Sequence, residues 1–168
     1  ARRPDLVPAL FAPFPTDRRG EVPEGMKPWF DIPVYHWHAG RLTCIYVRQY
    51  IEAAQRLFPD AARLAPAQRE AMDVLDGLAN DPSIHLSMAF RPGDIQLLHN
   101  HQILHSRNDF ENWPEPERHR HLLRLWLAPP EARPLPEIFA PRYGSVVPGD
   151  RGGIVVRGTT LKVPLEAE

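Results

Sequence analysis

The sequence predicts a mainly β unit with a pair of helices inserted near its middle. Three observations carry that expectation. Proline fills 20 of 168 positions, about 12% against roughly 5% in average usage. A residue that fixes φ and lacks an N–H donor favours loops and strand ends over long helices. Apolar and β-branched residues recur with period two on both sides of residues 49–79, and within those residues the period becomes helical.

The elements follow in chain order. Leu6, Val7, Leu10 and Phe11 stand at helical spacing, so residues 4–11 predict a short helix, ended by Pro13 and Pro15. Residues 16–27 are polar and rich in Gly and Pro, and predict a loop. Residues 32–46 predict a hairpin: aromatic and β-branched arms flank a turn at Ala39-Gly40. A helix is expected over residues 49–58, with Tyr50, Ala53, Ala54, Leu57 and Phe58 on one stripe. A second begins at Pro66, a good first helical residue, and stops at Asn80-Asp81-Pro82. Strands are expected at 84–90, 95–98, 102–105 and 121–127, with a turn at Pro92-Gly93-Asp94. A proline-rich tail carries two last strand-like pieces, 153–156 and 160–163. The whole chain, residues 1–168, reads as a single domain with its helical insertion at about 49–79.

Composition narrows the function classes. A formal net charge of −1 gives no general attraction to nucleic acid or to anionic membranes. No apolar run approaches the roughly 20 residues a membrane span needs. The single cysteine, Cys44, excludes a disulfide framework and a cysteine-only zinc site, which points to a reducing compartment, the cytoplasm. Cys44 itself reads as a small buried hydrophobe.

Chemistry concentrates late in the chain. His105 ends an apolar segment, and Arg120 and Arg124 stand four apart in another. In a strand that spacing puts both arginines on one face. Their neighbours Leu122, Leu123, Leu125, Trp126 and Leu127 predict a largely buried strand, and buried guanidiniums need anionic partners. A solvated basic face is the simpler alternative for the arginines, as is a backbone-bonded strand end for His105. Arg107 is expected to pair with Asp109 or Glu111, and His119 and His121 to be polar neighbours of the arginine strand.

The pattern Gly93-Asp94-Ile95-Gln96, then Asn100, then His105-Ser106-Arg107-x-x-Phe110, then Arg120-x-x-x-Arg124 resembles the taurine-dioxygenase (TauD/TfdA-like) family of Fe(II)- and 2-oxoglutarate-dependent oxygenases. The resemblance is strongest over residues 92–127. It implies a double-stranded β-helix, a jelly roll of the cupin-like kind. It implies His105 as the distal iron ligand and Arg120 as the clamp on the remote carboxylate of 2-oxoglutarate. Arg124 would face the same pocket, where it could hold an anionic small-molecule substrate or assist the clamp. The implied activity is a dioxygenase, usually a hydroxylase. No motif specifies the substrate or an oligomeric state.

That family holds iron with two histidines and one carboxylate, leaving open positions for cosubstrate and oxygen. Two of the three ligands come from a His-x-Asp or His-x-Glu pair. None of the eight histidines here has an acid two residues later. The expectation is therefore that the chain is the C-terminal portion of such an oxygenase, with the β-helix incomplete at its N-terminus and the pair lying before Ala1. The absent start methionine agrees. The segment alone is then expected to be inactive. Two other functions compete. One is a non-catalytic β-helix binding module that has lost its metal site. The other is a three-histidine, cupin-like centre built from His36, His38 and His105, although a hairpin tip with both of the first two rings in solvent is the simpler reading of His36-x-His38.

Overall fold

A short helical entry leads the chain into its first sheet. The computed structural model describes residues 3–151, and the strand-like pieces at 153–156 and 160–163 lie outside them. A 3-10 turn, Pro4–Leu6, runs directly into α1, Val7–Leu10, so the predicted N-terminal helix is present. Pro13 and Pro15 do more than end it. They belong to β1, Pro13–Asp17, which pairs antiparallel with β2, Trp29–Pro33. The sequence reading missed β1 because proline argues against a strand. A two-stranded sheet has only edge strands, where a missing N–H is tolerated. Phe14 faces Ile32 in register and is fully buried, which contributes about 1.5–3 kcal/mol.

The hairpin forms as expected, but shorter. β3, Tyr35–His38, pairs with β4, Arg41–Cys44, with Trp37 opposite Leu42. Ala39 and Gly40 both have positive φ, 48° and 71°, as a two-residue turn of the I′ kind requires. Ile32 and Pro33 pair with β1 instead, and Val34 crosses between the two sheets with its carbonyl accepting from Ile45 N–H at 2.9 Å.

Both inserted helices are present: α2 is Arg48–Leu57 and α3 is Pro66–Ala79. The buried stripe of α2 is Ile51, Ala53 and Ala54, and Leu57 is exposed, so the apolar face is rotated from the expected one. Small residues win there because α2 lies directly against β1, and a larger side chain would hold the two apart. On α3, Ala71, Met72 and Leu75 face inward. They join Leu6, Leu10, Phe14, Val34, Ile51 and Leu64 in one core. Gln68 pins the start of α3: its Oε1 accepts from Ala65 N–H at 3.0 Å, and its Nε2 donates to Pro13 O at 3.0 Å. The first contact satisfies one orphan donor of the helix, and the second ties the helix to β1.

The chain divides into two units, residues 1–104 and residues 105–168. The core above belongs to the first. Its last part, residues 81–104, carries no strand pairing. The turn at Pro92-Gly93 is present, with Gly93 at φ 91° and Asp94 N–H donating to Arg91 O at 3.0 Å. In the second unit the described residues hold only short helical turns. These are Pro116–Arg118, Glu137–Phe139 and α4, Ala140–Tyr143, which closes on Gly144 at φ 74°.

The expected strands at 84–90, 95–98, 102–105 and 121–127 are therefore corrected: none forms among the described residues. A strand is stable only when its N–H and C=O groups find a ladder partner, and apolar alternation supplies none by itself. The described sheets are two separate two-stranded ribbons, not a closed β-helix.

Candidate functional site

Between His105 and Leu127 the backbone is held by local contacts. Arg107 Cζ lies 4.7 Å from the centroid of the Phe110 ring, and Arg120 Cζ lies 5.0 Å from the same centroid. Arg120 N–H donates to Asn112 Oδ1 at 3.1 Å. The turn Pro116–Arg118 lies between these residues in the chain, and Arg118 Cζ stands 3.5 Å over the Trp113 ring with its Nη1 at 3.6 Å from Glu115 Oε2. Arg107, Arg118 and Arg120 thus rest on aromatic rings, an arrangement worth about 0.5–1 kcal/mol each when exposed. Arg107 lies on Phe110 where a pair with Asp109 or Glu111 was expected, because the ring three residues on meets the guanidinium with a flat face.

His105, Arg120 and Arg124 are all exposed. The buried arginine strand is corrected for that reason: without a neighbouring strand its apolar residues face water, Leu125 at 84% exposure. The arginines thereby keep their hydration, and the guanidinium edges are open to a carboxylate.

A metal needs converging donors, and the three imidazoles of this segment, His105, His119 and His121, do not form such a group. Among the described residues no three His, Cys, Asp or Glu side chains come together in a way that could hold an ion. The residues present therefore do not by themselves fit an iron centre. His36 and His38 are not both in solvent. His36 is only 8% exposed, and burial holds its ring below the usual histidine range while a hydrogen bond with the Pro33 backbone pulls the other way. Nothing gathers the two with a third ligand from their own unit among the described residues. The expected strand at 102–105 begins instead in a turn, in which His99 O accepts from Gln102 N–H at 2.9 Å. His101 serves through its backbone, its carbonyl accepting from Cys44 N–H at 2.8 Å. Burial pushes the Cys44 thiol up to about 12, which leaves it an unreactive, half-buried apolar group.

Phe110 stands in the sequence motif only at its spacing, and its contact with two guanidiniums is not signalled there. Residues three apart are neighbours on a helix, and residues 107–110 are not helical.

The chain belongs to the taurine catabolism dioxygenase family, TauD/TfdA, whose model matches residues 2–126. That span includes His105, Arg120 and Arg124. The chain is 31% identical over 140 residues to the FR-33289 synthase of Streptomyces rubellomurinus, an alignment covering 79% of this chain and 40% of the synthase. It is 33% identical over 140 residues to the taurine hydroxylase-like protein SAT17 of Stachybotrys chartarum, covering 76% of this chain and 34% of that protein. The chain thus spans less than half the length of these curated relatives. No helix among the described residues is long and apolar enough to cross a membrane.

Proposed function

We propose that this chain is the C-terminal portion of an Fe(II)- and 2-oxoglutarate-dependent dioxygenase of the hydroxylase type, acting on a small molecule in the cytoplasm. One observation carries the reading: His105-Ser106-Arg107-x-x-Phe110 followed by Arg120-x-x-x-Arg124 lies inside the family match. His105 is the distal metal ligand in this reading, Arg120 the clamp on the cosubstrate's remote carboxylate, and Arg124 a second cation for an anionic substrate or for the clamp. A planar guanidinium suits the clamp because its fork matches a carboxylate in two parallel hydrogen bonds. The metal and cosubstrate supply the oxidising chemistry, and the protein supplies ligands and orientation. The reading calls for two further ligands of the His-x-acid kind, a pair that none of the 168 residues supplies.

The test compares the 168-residue chain with the full-length protein encoded by its gene, by anaerobic titration with Fe(II) and 2-oxoglutarate followed by oxygen uptake. The full-length protein is expected to bind both and consume oxygen, and the 168-residue chain to do neither. Tight iron binding and turnover by the short chain would overturn the portion reading. A full-length protein that binds 2-oxoglutarate without iron would instead be a β-helix binding module lacking the metal.

A further inference from the structure

Phe110 and Asn112 hold Arg120 at both of its ends. The Arg120 guanidinium carbon stands over the Phe110 ring, 5.0 Å from its centroid, and the Asn112 carboxamide oxygen accepts from the backbone N–H at 3.1 Å. The ring's negative quadrupole attracts the cation. A guanidinium on a ring tends to stack flat on it, which leaves the N–H edges for a carboxylate. A bidentate carboxylate approaches in the guanidinium plane, along those edges. The two contacts are compatible, and the first restricts the torsions that the second would otherwise have to freeze. Among the described residues Arg124 has neither a ring against it nor a side-chain partner on its N–H, although it lies only four residues further on. Arg107 shares the ring at 4.7 Å and brings a second positive charge to the same place.

We infer that Phe110 is the positioning residue for the Arg120 clamp: it presets the guanidinium for a carboxylate and, with Arg107 on the same ring, favours a dianionic ligand over a monoanionic one. This rests on the proposed role of Arg120. Its chemical content is an electrostatic contact with the ring, so ring electron density is the variable to change. Shape is nearly constant along a series of mono-, di- and trifluorinated phenylalanines at position 110, while the negative face weakens at each step.

The full-length protein carrying this series, with Phe110→Leu, Phe110→Trp and Arg120→Ala, is titrated with 2-oxoglutarate and with the monocarboxylate 2-oxobutyrate. Affinity for 2-oxoglutarate is expected to fall stepwise with fluorination, by about two- to fivefold at Phe110→Leu, and to be kept or raised in Phe110→Trp. Thermal midpoint and iron affinity are expected to stay constant. In the 168-residue chain, the Arg120 side-chain protons are expected to show ring-current shifts that vanish in Phe110→Leu. A flat fluorination series, or Arg120 protons without such shifts, overturns the inference. Unchanged 2-oxoglutarate affinity in Arg120→Ala overturns the clamp itself, and the proton shifts then report the ring contact separately.

Discussion

The Tyr46 hydroxyl donates to Asp76 Oδ1 at 2.8 Å, joining the exit of the β3–β4 hairpin to α3. Arg48, at the first turn of α2, reaches Oδ2 of the same carboxylate at 2.7 Å and also contacts Asp73 and Glu52. One carboxylate therefore fastens hairpin, α2 and α3 together, at the edge of the core that Ile51 and Met72 fill. Hydrogen bonds to a charged group are among the stronger ones, and this one is half-buried. Replacing Tyr46 by Phe is expected to cost about 1 kcal/mol in urea denaturation at neutral pH. Asp76→Ala is expected to cost more, because it frees Arg48 and Tyr46 together. Equal costs for the two variants would show that Asp76 acts through Tyr46 alone.

The same hydroxyl sets an alkaline limit on stability. Burial, then the hydrogen bond to Asp76, holds the Tyr46 pKa above its ordinary 10.0, and burial raises Cys44 from 9.0 to about 12. Both groups are neutral when protonated, and the fold favours that form. Their contribution is fully present below the ordinary values and is lost as pH rises through the folded ones. Denaturation midpoints are expected to fall from about pH 9 upward, and the double variant Cys44→Ala, Tyr46→Phe to show a flatter slope there. An equally steep decline in that variant would place the titrating groups elsewhere.

The inserted helices and the tight hairpin were legible because their signals are local. Pro66 at a helix start, the Asn80-Asp81-Pro82 stop and Ala39-Gly40 with positive φ each act within a few residues. β1 was not legible, since Pro13 and Pro15 look like breakers until the facing strand shows that both lie on an edge. The apolar alternation at residues 84–90 reads as strand in the sequence and stands unpaired in the structure, because period reports which face wants burial and says nothing about what covers it. For the candidate site, the sequence reaches residue types and spacing. The ring of Phe110 beneath Arg107 and Arg120 needed coordinates.

Gln68 offers a check on how α3 is anchored. Its carboxamide bonds both the first helical turn and the Pro13 carbonyl, and the residue is buried. Gln68→Ala is expected to leave both partners unsatisfied and to cost about 1–3 kcal/mol. Gln68→Glu keeps the acceptor and loses the donor, so it is expected to be milder at acidic pH, where the carboxyl regains a proton. Chemical denaturation at two pH values separates the contributions, and a neutral effect of Gln68→Ala would show that water replaces both contacts.

Arg120, Arg124 and His105 separate by ligand. Under the proposed function, Arg120→Ala in the full-length protein is expected to weaken 2-oxoglutarate binding by about 2–5 kcal/mol once the assembled pocket excludes water. Arg124→Ala is expected to spare cosubstrate affinity and raise the KM of the organic substrate. His105→Ala is expected to lose iron, while His101→Ala and His36→Ala keep it, since His101 serves through its backbone carbonyl and His36 is buried in the hairpin. Calorimetry and metal analysis check these outcomes. Iron retained without His105 would end its assignment as a ligand.

The 168-residue chain taken alone is expected to self-associate and not to turn over. Leu86, Ile95, Leu97 and Leu125 are each more than four-fifths exposed, at 84, 88, 82 and 84%. Each lies in a segment whose alternation suits a strand, and none of those segments is paired among the described residues. Unpaired backbone beside apolar side chains recruits other chains, further copies of itself included. A single imidazole holds iron(II) weakly, because useful affinity comes from several ligands fixed in one geometry. Sedimentation of the isolated chain is expected to show oligomers, and a hydrophobic dye to bind it strongly. Both signals should fall in the full-length protein as iron affinity rises. A monomeric short chain that binds little dye would mean that residues 84–127 bury their apolar face without help from the rest of the protein.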